Sequence, residues 1–273
     1  MQTSVLPTSF ADIAVWDSGA AGPVVLMIHG NSSCKEVFRH QFDSPLGRRL
    51  RLIAMDLPGH GGSSDARDPG VAYTLNGYAD AAVEVLDRLA VARATVFGWS
   101  LGGHVGLNMI ARFAGMTGLM ISGTPPVPGD MGGFALGFQQ NEHMALAGSK
   151  DWAPGDAETY ARATAGADAP FEPFMLEAAL RTHGAARECF FADALAGGAD
   201  DQRRIAETAG VPLAIVNGAA DAFINAGYFE TVRYANLWDG RVFSLEGVGH
   251  APFWEAPDRF NPLLERFVAE TGT

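Results

Sequence analysis

At 273 residues, 48% of them apolar, the chain is long enough for one large α/β domain or two small ones around a sizeable core. Its 19 Lys and Arg stand against 31 Asp and Glu, a formal charge of -12, which argues against nucleic acid or an anionic membrane as partner and leaves a small-molecule substrate. Cys34 and Cys189 lie outside any Cys-x-x-Cys or Cys/His metal spacing and read as reduced packing residues. Met1 to Phe10 has no basic segment followed by an apolar run, and no stretch approaches a bilayer span, so a cytoplasmic protein is expected. It is expected to act as a monomer.

Taken in order, Asp12 to Trp16 alternates weakly and fits an edge strand, closed by the turn-rich Asp17 to Pro23. Val24 to Ile28 is an unbroken apolar run, as expected of a strand covered on both faces in a largely parallel sheet. His29-Gly30-Asn31-Ser32-Ser33 ends it. Glu36 to Leu50 mixes Val37, Phe38, Phe42 and Leu46 with charges and predicts a helix that Pro45 breaks or caps. Leu50 to Met55 is the next strand, and Asp56-Leu57-Pro58-Gly59-His60-Gly61-Gly62-Ser63-Ser64 is a loop by its glycines and proline. Between Tyr78 and Leu89 apolar residues recur at helical spacing, with Thr74 as the cap upstream.

The strongest signal is Ala94 to His104, which reads as strand, sharp turn and helix. Ser100 sits at the corner inside Gly98-Trp99-Ser100-Leu101-Gly102, a nucleophile elbow in which absent side chains let strand and helix approach while the hydroxyl is held out. Gly118 to Gly123 is another strand, Thr124 to Gly129 a proline-rich break, and from there to about Glu207 the segments read as helical. Strands resume at Pro212 to Gly218 and at Arg241 to Leu245. The expected organisation is an α/β core, residues 1–124 and 208–273, interrupted by a helical cap over 125–207.

A serine hydroxyl needs a base, and the base a carboxylate that fixes its tautomer. Asp221 lies just past the carboxyl end of the 213–216 strand, where parallel sheets gather functional groups, and His250 follows the last strand in Gly249-His250-Ala251-Pro252-Phe253. The order serine, acid, histidine is that of α/β-hydrolases, and Asp130 is the rival acid. The backbone N–H groups of Asn31 and Leu101 are the expected oxyanion hole. His29 and His60 read as loop-ordering residues, His104 as a core or supporting residue, and Cys34 has no elbow. No metal-binding motif stands out, so neither metal nor cofactor is expected. Met131, Phe134, Leu136, Phe138, Met144 and Leu146 predict an apolar lining, which Phe171, Phe174, Met175 and Phe190 would extend. Tyr160, Trp99, Phe134, Phe138, Met144 and Phe223 are the expected substrate-binding residues.

His29-Gly30, Asp56 to Gly61, Gly98 to Gly103 and Gly249-His250 together resemble the α/β-hydrolase superfamily. More narrowly, His29 to Ser33, Val96 to His104, Gly123 to Val127, Met144 to Gly148 and Gly249 to Phe253 resemble the AidH-type N-acyl-homoserine lactonases, over about Val24 to Phe260. The resemblance implies a mostly parallel sheet flanked by helices, with an α-helical cap inserted after the sixth strand. It also implies a metal-independent Ser100-His250-Asp221 triad that degrades quorum-sensing signals, with Asn31 and Leu101 as oxyanion donors and Tyr160 touching substrate. A general carboxylesterase, a non-catalytic receptor on the same fold, and a non-hydrolytic lyase or oxygenase are the competing readings.

Overall fold

The computed structural model describes residues 1–166 and 169–272 and contains one eight-stranded sheet. Its strands are β1 (Gln2–Pro7), β2 (Asp12–Asp17), β3 (Val24–Ile28), β4 (Arg51–Met55), β5 (Ala94–Trp99), β6 (Met116–Ser122), β7 (Leu213–Gly218) and β8 (Phe243–Leu245). They run in the order β1-β2-β4-β3-β5-β6-β7-β8, parallel from β4 to β8, with β1 and β2 antiparallel at one end. The Asp12 strand is therefore not the edge: β1 lies outside it, with Gln2 paired to Asp17 and Pro7 to Asp12. Residues Gln2 to Val5 are exposed, so β1 has no buried face to stamp an apolar alternation on the sequence.

The central strands are apolar on both faces because helices cover both. Along β3, Leu26 and Ile28 join Val96, Ile121 and Ile215 in one core layer, while Val25 and Met27 join Phe97, Met120, Ala214 and Val216 in the other. The first layer packs against the Leu75–Arg88 and Leu101–Met109 helices, the second against the Pro257–Thr271 helix through Phe260, Leu264 and Phe267. Side chains two residues apart thus share a face, as a strand period of two requires. The Thr74 hydroxyl accepts the Gly77 N–H at 2.9 Å and caps the Leu75–Arg88 helix as predicted. The helix expected over 36–50 is broken: Arg39–Phe42 ends at Asp43 and Leu46–Arg49 starts after Pro45, whose ring removes the N–H that a continuous helix needs.

Between β6 and β7 the chain forms six helices among the described residues: Met131–Gly137, Glu142–Ala147, Asp156–Ala165, Pro173–Arg181, Gly184–Leu195 and Gln202–Thr208. Among the described residues no helix is long and apolar enough to cross a membrane.

Candidate active site

Ser100 sits where β5 hands over to the Leu101–Met109 helix, at φ 53° and ψ -118°, a conformation a side-chain-bearing residue adopts at a cost. The turn is held by the Ser100 N–H, which donates to the Ser122 carbonyl at 2.8 Å, and by Thr124 Oγ1, which donates to the Ser100 carbonyl at 2.9 Å. Two glycines make the handover possible. A methyl on Gly98 would overlap the carbonyl oxygen of Gly102, and one on Gly102 would overlap that of Ile28 at the end of β3. Gly98→Ala is therefore expected to cost about 3 kcal/mol of stability, since backbone rather than a flexible side chain blocks the new methyl. A urea melt with an unshifted midpoint would contradict this.

Asp221 and His250 are brought together from the loops after β7 and β8. His250 Nδ1 lies 2.7 Å from Asp221 Oδ2, with both side chains almost wholly buried, and Asp221 Oδ1 accepts the Phe223 N–H at 2.8 Å. A carboxylate in this position fixes the proton on Nδ1 and leaves Nε2 as the basic nitrogen. The rival acid, Asp130, instead accepts the Gly133 N–H at 2.7 Å and caps the Met131–Gly137 helix. Gly123, at φ 61°, lies beneath the imidazole, where a Cβ would stand 2.5 Å from His250 Cε1. Its N–H donates to Asn217 Oδ1 at 2.9 Å, tying the ends of β6 and β7 together under the histidine.

One supporting residue was not predicted. Glu255 accepts the Gly249 N–H at 2.9 Å and the Ala251 N–H at 3.0 Å, bracketing His250 from behind. Burial raises its pKa, and the two N–H groups act against the rise. The available signal was an acid four residues past Ala251, the N-cap of the short Pro252–Glu255 helix, a reach-back akin to a capping box.

Ser100, Leu101, Asn31 and His250 line one cavity, which encloses about 780 Å³ of atom-free space including its mouth. Leu101 is the first residue of its helix, where N–H groups have no partner within the helix. Gly30 presses the Asn31 loop onto the elbow, where a Cβ would stand 3.2 Å from Ser100 Cβ. The Asn31 side chain donates to the Ala147 carbonyl at 2.8 Å, so this loop is also tied to the helical insertion. Phe134, Phe138, Met144, Tyr160 and Phe223 all line the cavity, as does Phe190. The Tyr160 hydroxyl is pushed above its ordinary pKa by burial, against the effect of the neighbouring Asn31 amide.

Trp99 is a correction: it does not line this cavity. The strand alternation turns it to the other face of the sheet, where it packs among Phe97, Phe253 and Trp254, and its Nε1–H donates to the His250 carbonyl at 2.9 Å. Phe171, Phe174 and Met175 also lie outside the lining, Phe174 edge-on to Trp254 and Phe171 beneath the Arg162 guanidinium. His104, read as a core or supporting residue, does reach the cavity.

Cys34 is buried, and burial raises its thiol well above its ordinary pKa, the opposite of what an activated nucleophile needs. His29 accepts the Leu57 N–H on Nε2 and donates from Nδ1 to the Gly30 carbonyl, ordering the loop. His29, His60 and His104 are all held below the ordinary histidine pKa, chiefly by burial, His104 to about 4. The unfolded chain takes up these protons near pH 6.5 and the folded protein does not. Stability is therefore complete above pH 6.5 and falls below it, each histidine adding up to about 1.4 kcal/mol per pH unit, with His104's share ending near pH 4. The urea midpoint should drop steeply from pH 6.5 to 5; a flat profile would contradict the neutral histidines.

The alpha/beta hydrolase family model matches residues 25–263. A 2-hydroxy-6-oxononadienedioate/2-hydroxy-6-oxononatrienedioate hydrolase of Pseudomonas sp is 27% identical over 278 residues, covering 94% of this chain and 92% of that protein. N-acyl homoserine lactonase AidH complexed with N-butanoyl homoserine superposes with a TM-score of 0.96 at 44% identity, covering 99% of this chain and 97% of that one. A serine-to-glycine mutant of AidH, complexed with N-hexanoyl homoserine lactone, also matches at a TM-score of 0.96 and 44% identity, covering 99% and 98%. An esterase from Exiguobacterium antarcticum, 22% identical with a TM-score of 0.79 over 98% of this chain and all of that one, shares the fold. This chain belongs to the alpha/beta hydrolase family and, over its whole length, is similar to the AidH N-acyl homoserine lactonase.

Proposed function

We propose that this hydrolase opens the lactone ring of N-acyl homoserine lactones, and so degrades quorum-sensing signals, by a metal-independent Ser100-His250-Asp221 mechanism. The observation that carries the reading is the buried Asp221–His250 pair, whose histidine lines the same cavity as the strained Ser100. Similarity to AidH over the whole chain directs that chemistry to lactones. We assign residues 125–207 as a cap whose Phe134, Phe138, Met144 and Tyr160, with Phe223 from the core, enclose an acyl chain. We further propose a monomer acting in the cytoplasm, a reducing compartment that its two free cysteines fit.

In this mechanism His250 Nε2 takes the Ser100 proton as Oγ attacks the lactone carbonyl carbon. The N–H groups of Asn31 and Leu101 stabilise the oxyanion, and the imidazolium is stabilised by Asp221. Collapse breaks the ring C–O bond, and His250 protonates the departing ring oxygen. The new hydroxyl stays tethered to the acyl-enzyme, so reclosure competes until His250 activates a water that releases the opened N-acyl homoserine. Glu255 and the Trp99 indole act through the backbone of His250, keeping the imidazole over the elbow.

Comparing kcat/KM for N-hexanoyl homoserine lactone and an aryl acetate tests the assignment. The lactone should be preferred by at least tenfold. Preference for the aryl ester would indicate a general carboxylesterase, and tight lactone binding without turnover a receptor.

A further inference from the structure

The protonation of the second histidine in the cavity follows from a neighbour that can only donate. Arg112 Nη2 donates to Asn76 Oδ1 at 2.8 Å, while its Nε and Nη1 pair with Asp80 at 3.1 Å and Asp200 at 2.8 Å. A guanidinium has no acceptor, so the Asn76 atom facing it is the oxygen. Consistently, Asn76 Nδ2 donates to the Gly198 carbonyl at 3.2 Å. The Asn76 oxygen also accepts from Asn108 Nδ2 at 2.7 Å, which leaves Asn108 Oδ1 to accept from Gln202 Nε2 at 2.8 Å. Gln202 Nε2 donates again to the His104 carbonyl at 3.0 Å. Gln202 therefore offers Oε1 to His104, and the 2.6 Å contact places the proton on His104 Nδ1. The other ring nitrogen, Nε2, is a bare lone pair.

That nitrogen belongs to a residue lining the same cavity as Ser100. The His104 ring lies 5.7 Å from that of Phe138, which stacks on Phe134 at 4.8 Å. Burial keeps the imidazole neutral at physiological pH, with its pKa down at about 4. An acceptor among phenylalanines is costly to leave unpaired once an alkyl chain displaces water, and one that meets a hydroxyl gains a hydrogen bond. Ser100 and His104 are separated by about 6 Å of helix rise, roughly the extended distance from a lactone carbonyl to the third carbon of the N-acyl chain.

We propose that His104 Nε2 is a specificity-determining acceptor for a hydroxyl on the acyl chain, so that the enzyme favours N-(3-hydroxyacyl) homoserine lactones over their 3-oxo counterparts. A 3-hydroxyl donates to the lone pair; a 3-oxo group opposes it with lone pairs of its own. The inference rests on the lactonase reading above.

The test measures kcat/KM for 3-hydroxy, 3-oxo and unsubstituted lactones of one chain length, with the wild-type enzyme and with His104→Phe. The wild type should prefer the 3-hydroxy over the 3-oxo lactone by about 10- to 100-fold, and in His104→Phe this ratio should fall to near one. Because the ratio is internal to each protein, a general loss of activity does not obscure it. A wild-type ratio near one overturns the proposal even if His104→Phe does not fold. So does an unchanged ratio in the variant, or an equal loss on all three lactones, which marks a structural role. Turnover of all three at similar rates overturns this inference alone, whereas cleavage of an aryl ester with no lactone opened removes the lactonase reading and this one with it. Histidine ¹⁵N spectra of Ser100→Ala give an independent readout: the Nε2 resonance of His104 should lie in the unprotonated range and shift on binding the 3-hydroxy lactone. A protonated Nε2, or no shift, contradicts the assignment.

Discussion

Ser100→Ala should lower kcat on the order of a million-fold while leaving the protein folded. In the proposed mechanism the oxygen removed is the atom that forms the acyl-enzyme, and the oxyanion donors and the cavity alone would supply only the residual rate. The fold should survive because the turn is held by backbone and by Thr124 rather than by the serine hydroxyl. Alanine keeps the φ of 53°, so its melting temperature should stay close to that of the wild type. Ser100→Gly, equally inactive, should melt higher, because glycine adopts that φ without steric cost. A Ser100→Ala enzyme with more than a few per cent of wild-type activity would remove the serine from the mechanism.

Asp221→Asn is expected to lower kcat by about 10⁴-fold with little change in KM. The side chains are nearly isosteric, and the oxygen that accepts the Phe223 N–H can stay in place. What then faces His250 Nδ1 is an amide N–H, which donates and so drives the imidazole proton to Nε2, the position that the proposed mechanism needs free to take the serine proton. In the proposed mechanism the same change also leaves the transition-state imidazolium without a counter-charge. A loss below tenfold would show that another carboxylate orients His250, and Glu255, whose oxygens bracket it through Gly249 and Ala251, would be the first to examine.

Much of this was legible in the chain because it depends on local steric demands. Glycines on either side of Ser100 are needed where two backbones touch, and the buried strands β3, β5, β6 and β7 announce themselves as apolar runs because both faces are covered. What was not legible depends on partners distant in sequence or on faces with no burial signal. β1 is largely exposed, so nothing in its residues distinguishes it from a tail. Trp99 adjoins the nucleophile in sequence, yet the strand alternation sends it to the opposite core layer. Phe174 and Met175 are as apolar as Phe190, and only the packing of their helices decides which of them meets the cavity. The Arg112-Asn76-Asn108-Gln202 chain behind His104 joins three separate segments and leaves no motif, although it fixes which nitrogen of that ring is free.

In the proposed mechanism Ser100, rather than a metal-activated water, opens the lactone ring. The most direct measurement is acid release from N-acyl homoserine lactones in a pH-stat, using purified protein pretreated with a metal chelator, beside Ser100→Ala treated identically. One equivalent of acid per lactone is expected, at a rate unchanged by the chelator and abolished in the variant. Release that the chelator suppresses, or that persists in Ser100→Ala, would contradict it.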